Sequence, residues 1–179
     1  MAESPSVPAL AVLPVRPEDA DRLGALTVDA YLAAGILEED DGYVPVLRDV
    51  AGRLDSTIVL AAYRGPRVVG GITLAAPGGP HAEIAQEGEI ELRMLAVDPA
   101  HQGAGVAEAL VRASAEAAAE LGHDAVVLST MEAMPAALRL YARLGFDRVA
   151  DRDWIGDWDE AAVAAGTAPL MSVYRLPVR

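Results

Sequence analysis

The chain has no cysteine, which removes disulfides, thiolate metal sites and a cysteine nucleophile together. Its three histidines, His81, His101 and His123, are scattered through stretches that read as loops, without metal-ligand spacing, so no metal site is expected. Basic residues are scarce: 14 Lys+Arg against 27 Asp+Glu leave a formal net charge of −13. That charge repels a phosphate backbone, and no basic stripe with interleaved aromatics offsets it, so no nucleic-acid partner is expected. An acidic surface aids solubility, and it also suits a cationic partner. No apolar run is long enough to span a bilayer and no N-terminal signal peptide is visible; the expectation is a soluble cytoplasmic protein with no membrane partner.

What is present suits one domain. A chain of 179 residues buries roughly 70% of the surface exposed by its unfolded form. Residues 1 to 7, small and polar with two prolines, read as a flexible tail, leaving 8–179 as a single domain. The domain is organised around Val97-Asp-Pro-Ala-His-Gln-Gly-Ala-Gly-Val-Ala-Glu-Ala-Leu110. Ahead of it, Ile90, Leu92 and Met94 to Val97 form a strand-like run that Asp98-Pro99 stops, because proline has no N–H for a sheet ladder. After Gly105, Val106, Leu110, Ala113, Ala117 and Leu121 recur at helical spacing, with Glu108, Arg112, Glu116 and Glu120 opposite, until Gly122 ends the helix. The first N–H groups of such a helix lack internal partners, and the dipole adds positive potential. With small residues at Gly103, Ala104 and Gly105, the turn becomes an anion cradle.

Two nucleotide patterns fail on the residues. A triphosphate P-loop needs Lys and then Ser or Thr after its last glycine, where this chain has Val106 and Ala107; a dinucleotide GxGxxG from Gly103 needs a small residue at 108, which is Glu108.

Other elements follow in order. Leu10 to Arg16 reads as a strand, and Pro17 with Glu18 and Asp19 as a helix start whose apolar face is Leu23, Leu26, Ala30, Tyr31 and Ala34. An acidic loop, Glu38 to Asp41, precedes a second helical stretch near Val46 to Leu54. Thr57 to Tyr63 and Val68 to Ala75 make a hairpin around Arg64-Gly-Pro-Arg67. Residues 76 to 88 form a long connection, a lid over a site or a mobile loop. Glu89, Glu91 and Arg93 then alternate with Ile90, Leu92 and Met94, so the three charges share one strand face, where they must pair or line a wet cleft. Ala125 to Ser129 is a buried strand, Pro135 opens a helix over Ala136 to Leu144, Gly145-Phe146 begins a strand towards Asp153, and Met171 to Val178 closes the sheet. Trp154 and Trp158 suit a cleft wall, a core edge or a homodimer contact.

The segment Gln102-Gly-Ala-Gly-Val-Ala107 fits [Gln/Arg]-x-x-Gly-x-[Gly/Ala], and with Val97-Asp98-Pro99 ahead of it resembles the coenzyme A pyrophosphate loop of the GNAT (general N-acetyltransferase) superfamily. Ala137-Leu-Arg-Leu-Tyr-Ala-Arg-Leu-Gly-Phe146 resembles a second hallmark of that superfamily, Ala-x-x-[Leu/Phe]-Tyr-x-[Lys/Arg]-x-Gly-Phe. Two hallmarks in order, about 30 residues apart, are far more specific than a lone glycine loop. The resemblance implies an α/β (α+β) fold: a mixed, largely antiparallel sheet of about 6–7 strands with splayed central strands, flanked by about 4 helices. It implies acetyl-CoA as co-substrate, with backbone groups of Leu95, Ala96 and Val97 along the pantetheine arm and Gln102, Gly103, Ala104, Gly105, Val106 and Ala107 at the pyrophosphate. It also implies direct acetyl transfer to a small amine or a peptide amine.

That reaction makes three demands. An ammonium with pKa near 10 must lose a proton, which calls for a carboxylate acting directly or through water; Glu91 is the first candidate and Glu89 the second. The thioester oxyanion needs a donor, met by a backbone N–H near Leu95 or Ala96 if the strand bulges there. The leaving thiolate needs an acid, and the resemblance assigns this to Tyr141, although Leu138, Tyr141 and Ala142 also share a helical face and could be plain core. Where the family often has Asn, three residues ahead of the second motif, this chain has Met134 followed by Pro135. Two rival readings stand beside the enzyme: a non-catalytic acyl-CoA sensor or partner domain, and an oligomeric scaffold in which the glycine turn is only structural.

Overall fold

The computed structural model describes residues 8–156 and 160–179; the expected tail at 1 to 7 and Trp158 lie outside them. Thirteen elements run β1 (Leu10–Pro14), α1 (Ala20–Ala33), α2 (Val44–Arg48), β2 (Ile58–Arg64), β3 (Arg67–Ala75), β4 (Glu89–Val97), α3 (Val106–Glu120), β5 (Ala125–Thr130), α4 (Pro135–Leu144), β6 (Asp147–Arg148), β7 (Trp154–Ile155), α5 (Glu160–Ala164) and β8 (Leu170–Pro177). The strands form an 8-stranded sheet in the order β1-β2-β3-β4-β5-β8-β6, with β7 beside β8. Every pairing is antiparallel except β4 with β5. The architecture is the mixed, largely antiparallel α/β sheet anticipated; the strands beyond the expected number are two-residue pieces.

β2 and β3 are buried on both faces, which is why they read as apolar runs rather than alternating ones. On β2, Val59, Ala61 and Tyr63 face the cluster built with Leu23, Leu26 and Ala30 of α1, while Leu60 and Ala62 face the cluster containing Val106, Leu110 and Val111 of α3. β3 admits both helices closely. A Cβ on Gly70 would stand 2.8 Å from the Ala96 carbonyl oxygen and 3.0 Å from Val106 Cγ1, and one on Gly71 would stand 2.6 Å from Leu23 Cδ1. Helix positions thus reach the sheet through glycine.

Two expected elements are shorter. The stretch expected as a helix near Val46 to Leu54 is α2 followed by a single 3-10 turn, Ala51–Arg53. Its end is set by Arg53, 2% exposed, whose guanidinium donates to the carbonyls of Val46 and Asp49 at 2.9 Å. Burial lowers the Arg53 pKa from its ordinary value, outweighing the opposing pull of Tyr43 and Asp49. The strand expected from Gly145 to Asp153 keeps only β6, because a 3-10 turn at Ala150–Arg152 turns the chain inward.

The central feature is a split. β4 and β5 pair only at Glu89↔Ala125, Ile90↔Val126 and Glu91↔Val127, although both strands continue beyond. On its other side β4 carries a bulge: the register with β3 shifts between Gly71 and Thr73, and Met94 adopts φ 55. An L-residue there costs about 1–2 kcal/mol, and a bulge bends and twists its strand. The two strands part just ahead of the bulge.

Candidate functional site

A cavity of about 780 Å3 occupies the split. Leu92 to Leu95 of β4 and Leu128 to Met131 at the end of β5 form its two walls, and Val111, Ala137 and Tyr141 form its floor on the helical side. Of the strand residues expected along a cofactor arm, Leu95 lines the cavity, whereas Ala96 is buried opposite Gly71. The Asp98 N–H donates to the Val69 carbonyl at 2.9 Å; ladder bonds alternate along an antiparallel pair, so the polar groups of Val97 face the split.

The glycine turn stands at the start of α3, the helix that supplies Val111 to the lining. Gly103 (φ 74) and Gly105 (φ 76) both take the left-handed conformation that favours glycine, and a Cβ on either would meet nothing within 4 Å. Asp98 shapes the approach by accepting the Ala100 N–H at 2.9 Å. Gln102 to Gly105 are exposed and Val106 is buried, so the turn is anchored at its helical end and open at its tip. The first helical bond runs from the Ala109 N–H to the Gly105 carbonyl. The N–H groups of Val106, Ala107 and Glu108 therefore have no acceptor among the described residues. Glu108, an acid where an anion would approach, is held by Arg112 at 2.9 Å and by Arg143 of α4 at 3.2 Å. Those two guanidinium hydrogen bonds hold its carboxyl below the usual carboxylate range.

The charged face of β4 is where sequence left two roles open, and there the charges pair. Glu91 Oε2 accepts three backbone N–H groups from the loop between β3 and β4: Glu83 at 2.7 Å, Ile84 at 2.8 Å and Ala85 at 3.2 Å. Glu89 Oε2 accepts the next, Gln86 N–H, at 3.1 Å. Arg93 donates to the His81 carbonyl at 2.6 Å, and Arg152 donates to the Ile84 carbonyl. A loop without helix or strand thus has much of its backbone satisfied by side chains of one strand face, with Arg152 adding one bond. Glu89 is further tied to Arg152 and Arg175, both at 2.9 Å. Burial alone would raise its carboxyl, but the Arg152 pair, the Gln86 N–H and the Arg175 pair outweigh that and hold it below the usual range. Glu91 lines the cavity; Glu89 is absent from the lining.

The remaining lining residues lie towards α1 and α2. Arg93 reaches Tyr43 Oη at 3.2 Å and Glu83 Oε1 at 2.8 Å, and Tyr31, Asp41 and Trp154 complete this half. Of the acidic loop, Glu38 to Asp40 are exposed and only Asp41 lines the cavity. Tyr141 is 7% exposed, and its hydroxyl has no hydrogen-bond partner among the described residues. Burial raises the pKa of Tyr141 and of Tyr31, so both are neutral donors across ordinary pH. The Trp154 Nε1 is likewise buried without a partner among the described residues. Tyr31, Tyr43, Glu83 and Arg93 were not singled out as site residues from sequence. Arg93 carried a signal, since it shares its strand face with both glutamates.

The Acetyltransferase (GNAT) family model matches residues 26–146. The chain belongs to that family. Human N-acetyltransferase 8B is 40% identical over 63 residues, covering 35% of this chain and 28% of the human protein; the match spans only about a quarter of that relative. A protein of Desulfovibrio desulfuricans assigned to the GNAT family superposes with a TM-score of 0.72 at 21% identity, over 96% of this chain and 100% of that one. A Salmonella typhimurium protein assigned as an acetyltransferase and solved with its cofactor acetyl-CoA gives a TM-score of 0.69 at 20% identity, over 96% and 95% of the two chains. At these identities the structural likeness establishes the fold alone.

Proposed function

We propose that the protein transfers an acetyl group from acetyl-CoA to an amine by direct attack on the thioester. The observation that carries this is the continuity of one cavity. It runs from the split between β4 and β5 to a carboxylate- and tyrosine-lined half under α1 and α2. The unbonded N–H groups at the start of α3 suit a pyrophosphate, and the free strand edge beyond Glu91 suits an amide-bearing arm. The N–H groups around the Met94 bulge are the candidate oxyanion donors.

In this reading the amine enters on the side of Asp41, Glu83 and Arg93. It loses its proton through water to a cavity carboxylate, attacks the carbonyl carbon, and the collapsing intermediate expels a thiolate. Tyr141 supplies that thiolate with a proton and regains one, through water, from the nitrogen as the amide forms; burial, which opposes the phenolate, keeps its hydroxyl protonated at rest. Glu89, locked between two arginines and outside the lining, takes no part in the transfer. A peptide amine and a small amine both fit the proposal.

The commitment of both β4 glutamates to other partners also keeps a second reading alive, an acyl-CoA sensor without turnover. Titration calorimetry with acetyl-CoA tests both readings, and absence of heat at high micromolar cofactor sinks them together. Release of free CoA thiol across a panel of amines then separates enzyme from sensor. No helix among the described residues is long and apolar enough to cross a membrane; action in the cytoplasm is part of the proposal.

A further inference from the structure

Glu91 is 1% exposed, and the partners of its two oxygens differ sharply. Oε2 receives the N–H groups of three successive residues, Glu83, Ile84 and Ala85. Oε1 stands 3.7 Å from Arg93 Nε, inside ion-pair range and beyond a hydrogen bond. An oxygen already taking three donors has no lone pair left for an ammonium proton. Its neighbour faces the Arg93 guanidinium, whose positive charge favours the carboxylate over the protonated acid. Both facts describe an anchor. The loop it holds carries Glu83 into the cavity, where Arg93 fixes that carboxylate at 2.8 Å with its side chain 40% exposed.

Resting on the proposed acetyl transfer, we infer that Glu91 is a positioning residue: it latches the 83–85 loop shut as the wall of the acceptor half. The carboxylate presented to an ammonium-bearing acceptor is then Glu83. Three features of the structure agree on the latch. The donors are consecutive and converge on one atom. The Gln86 N–H goes separately to Glu89, so the loop is pinned at two points on alternate residues of β4. Arg93, the third charge of that face, holds the loop's upstream end through the His81 carbonyl. Apolar packing could seal a loop as well, but would not fix the direction of Glu83; converging hydrogen bonds do.

The test compares Glu91→Gln with Glu91→Leu in the full chain, using residue-resolved amide hydrogen exchange. Gln keeps a carbonyl oxygen in place but loses the charge, whereas Leu keeps volume and loses the acceptor. The amides of Glu83, Ile84 and Ala85 should exchange faster by about 3- to 10-fold in E91Q and about 10- to 100-fold in E91L, with Gln86 unchanged in E91Q as the internal control. On the amine found by the thiol-release panel, E91Q should keep kcat within about threefold and keep the ascending limb of its pH profile, as a positioning role requires. E91L should raise the KM for that amine. If E91L does not fold, the three amides and the kcat of E91Q decide the matter. Unchanged exchange at all three amides in E91Q overturns the latch. A kcat loss of about 100-fold or more with the ascending limb gone returns Glu91 to the role of base. Failure of the thiol-release panel would refute the proposed enzyme while leaving the exchange result to judge the latch.

Discussion

Replacing Glu89 with glutamine should destabilise the fold by about 3 kcal/mol at neutral pH. Its carboxylate is 7% exposed and takes Arg152 Nη1 at 3.0 Å, Arg175 Nε at 2.9 Å, Arg152 Nη2 at 2.9 Å and the Gln86 N–H at 3.1 Å. Removing one partner from a buried ion pair costs roughly 3–5 kcal/mol because the other charge is left uncompensated. Arg175 is 35% exposed and keeps part of its hydration, so the low end of that range applies. In a chain of this size the loss appears as a fall of roughly 6–12 °C in Tm. Urea unfolding at fixed ionic strength measures it directly. The pH dependence supplies an independent sign. The folded-state pKa of Glu89 lies below its ordinary value, so its contribution is complete above the unfolded pKa of about 4.3 and is lost as pH falls through the folded pKa. The gap between wild type and variant should be flat from pH 5 upward and shrink below about pH 4. A gap under about 1 kcal/mol at pH 7, or one that widens on acidification, would refute the reasoning. The kcat per folded molecule should stay close to that of the wild type, because Glu89 does not line the cavity, and any change should fall on the amine KM through its bond to the Gln86 N–H.

Tyr141→Phe should lower kcat about 100-fold, the usual scale for a lost general acid, and leave the calorimetric Kd for acetyl-CoA unchanged. Glu83→Gln should raise the amine KM about tenfold with kcat nearly intact, as expected for one lost charge contact to an ammonium; an equal fall in kcat would mean that Glu83 moves the proton itself. Gly105→Val should cost the apo protein about 1–2 kcal/mol through its positive φ, and should weaken acetyl-CoA further because its side chain fills space that is empty in the protein; calorimetry beside thermal melts separates the two effects. Met134 is the N-cap of α4 and makes no side-chain cap bond, so Met134→Asn should stabilise the fold by about 1 kcal/mol in the same melts.

Much of the fold was legible because its signals are local. The Gly105 and Gly145 boundaries, Pro135 at the first position of α4 and the apolar runs of β2 and β3 each follow from one residue type or one periodicity. Boundaries failed where a distant side chain ended an element. Arg53 stops α2 by binding its last carbonyls from beyond the helix. No propensity read along residues 46 to 54 reveals that, since an arginine reads as helix-favouring there. β6 is short for a similar reason: Arg152 is drawn towards Glu89, a residue 63 positions earlier.

The candidate site was legible in outline for the same reason and illegible in its chemistry. Period-2 alternation correctly put Glu89, Glu91 and Arg93 on one face and required that they pair or meet water. It could not choose, because their partners lie on a loop with no period of its own and on Arg152 and Arg175, far along the chain. A carboxylate that accepts protons and one that accepts amide hydrogen bonds are the same residue in a sequence; only the direction of the neighbouring N–H groups separates them. Here three such groups converge on Glu91 Oε2. The same loop carries Glu83, which stood outside any motif, to the cavity wall. In the inferred latch, a strand glutamate shapes the acceptor side by holding backbone, and the carboxylate that meets the acceptor arrives from the connection ahead of the strand.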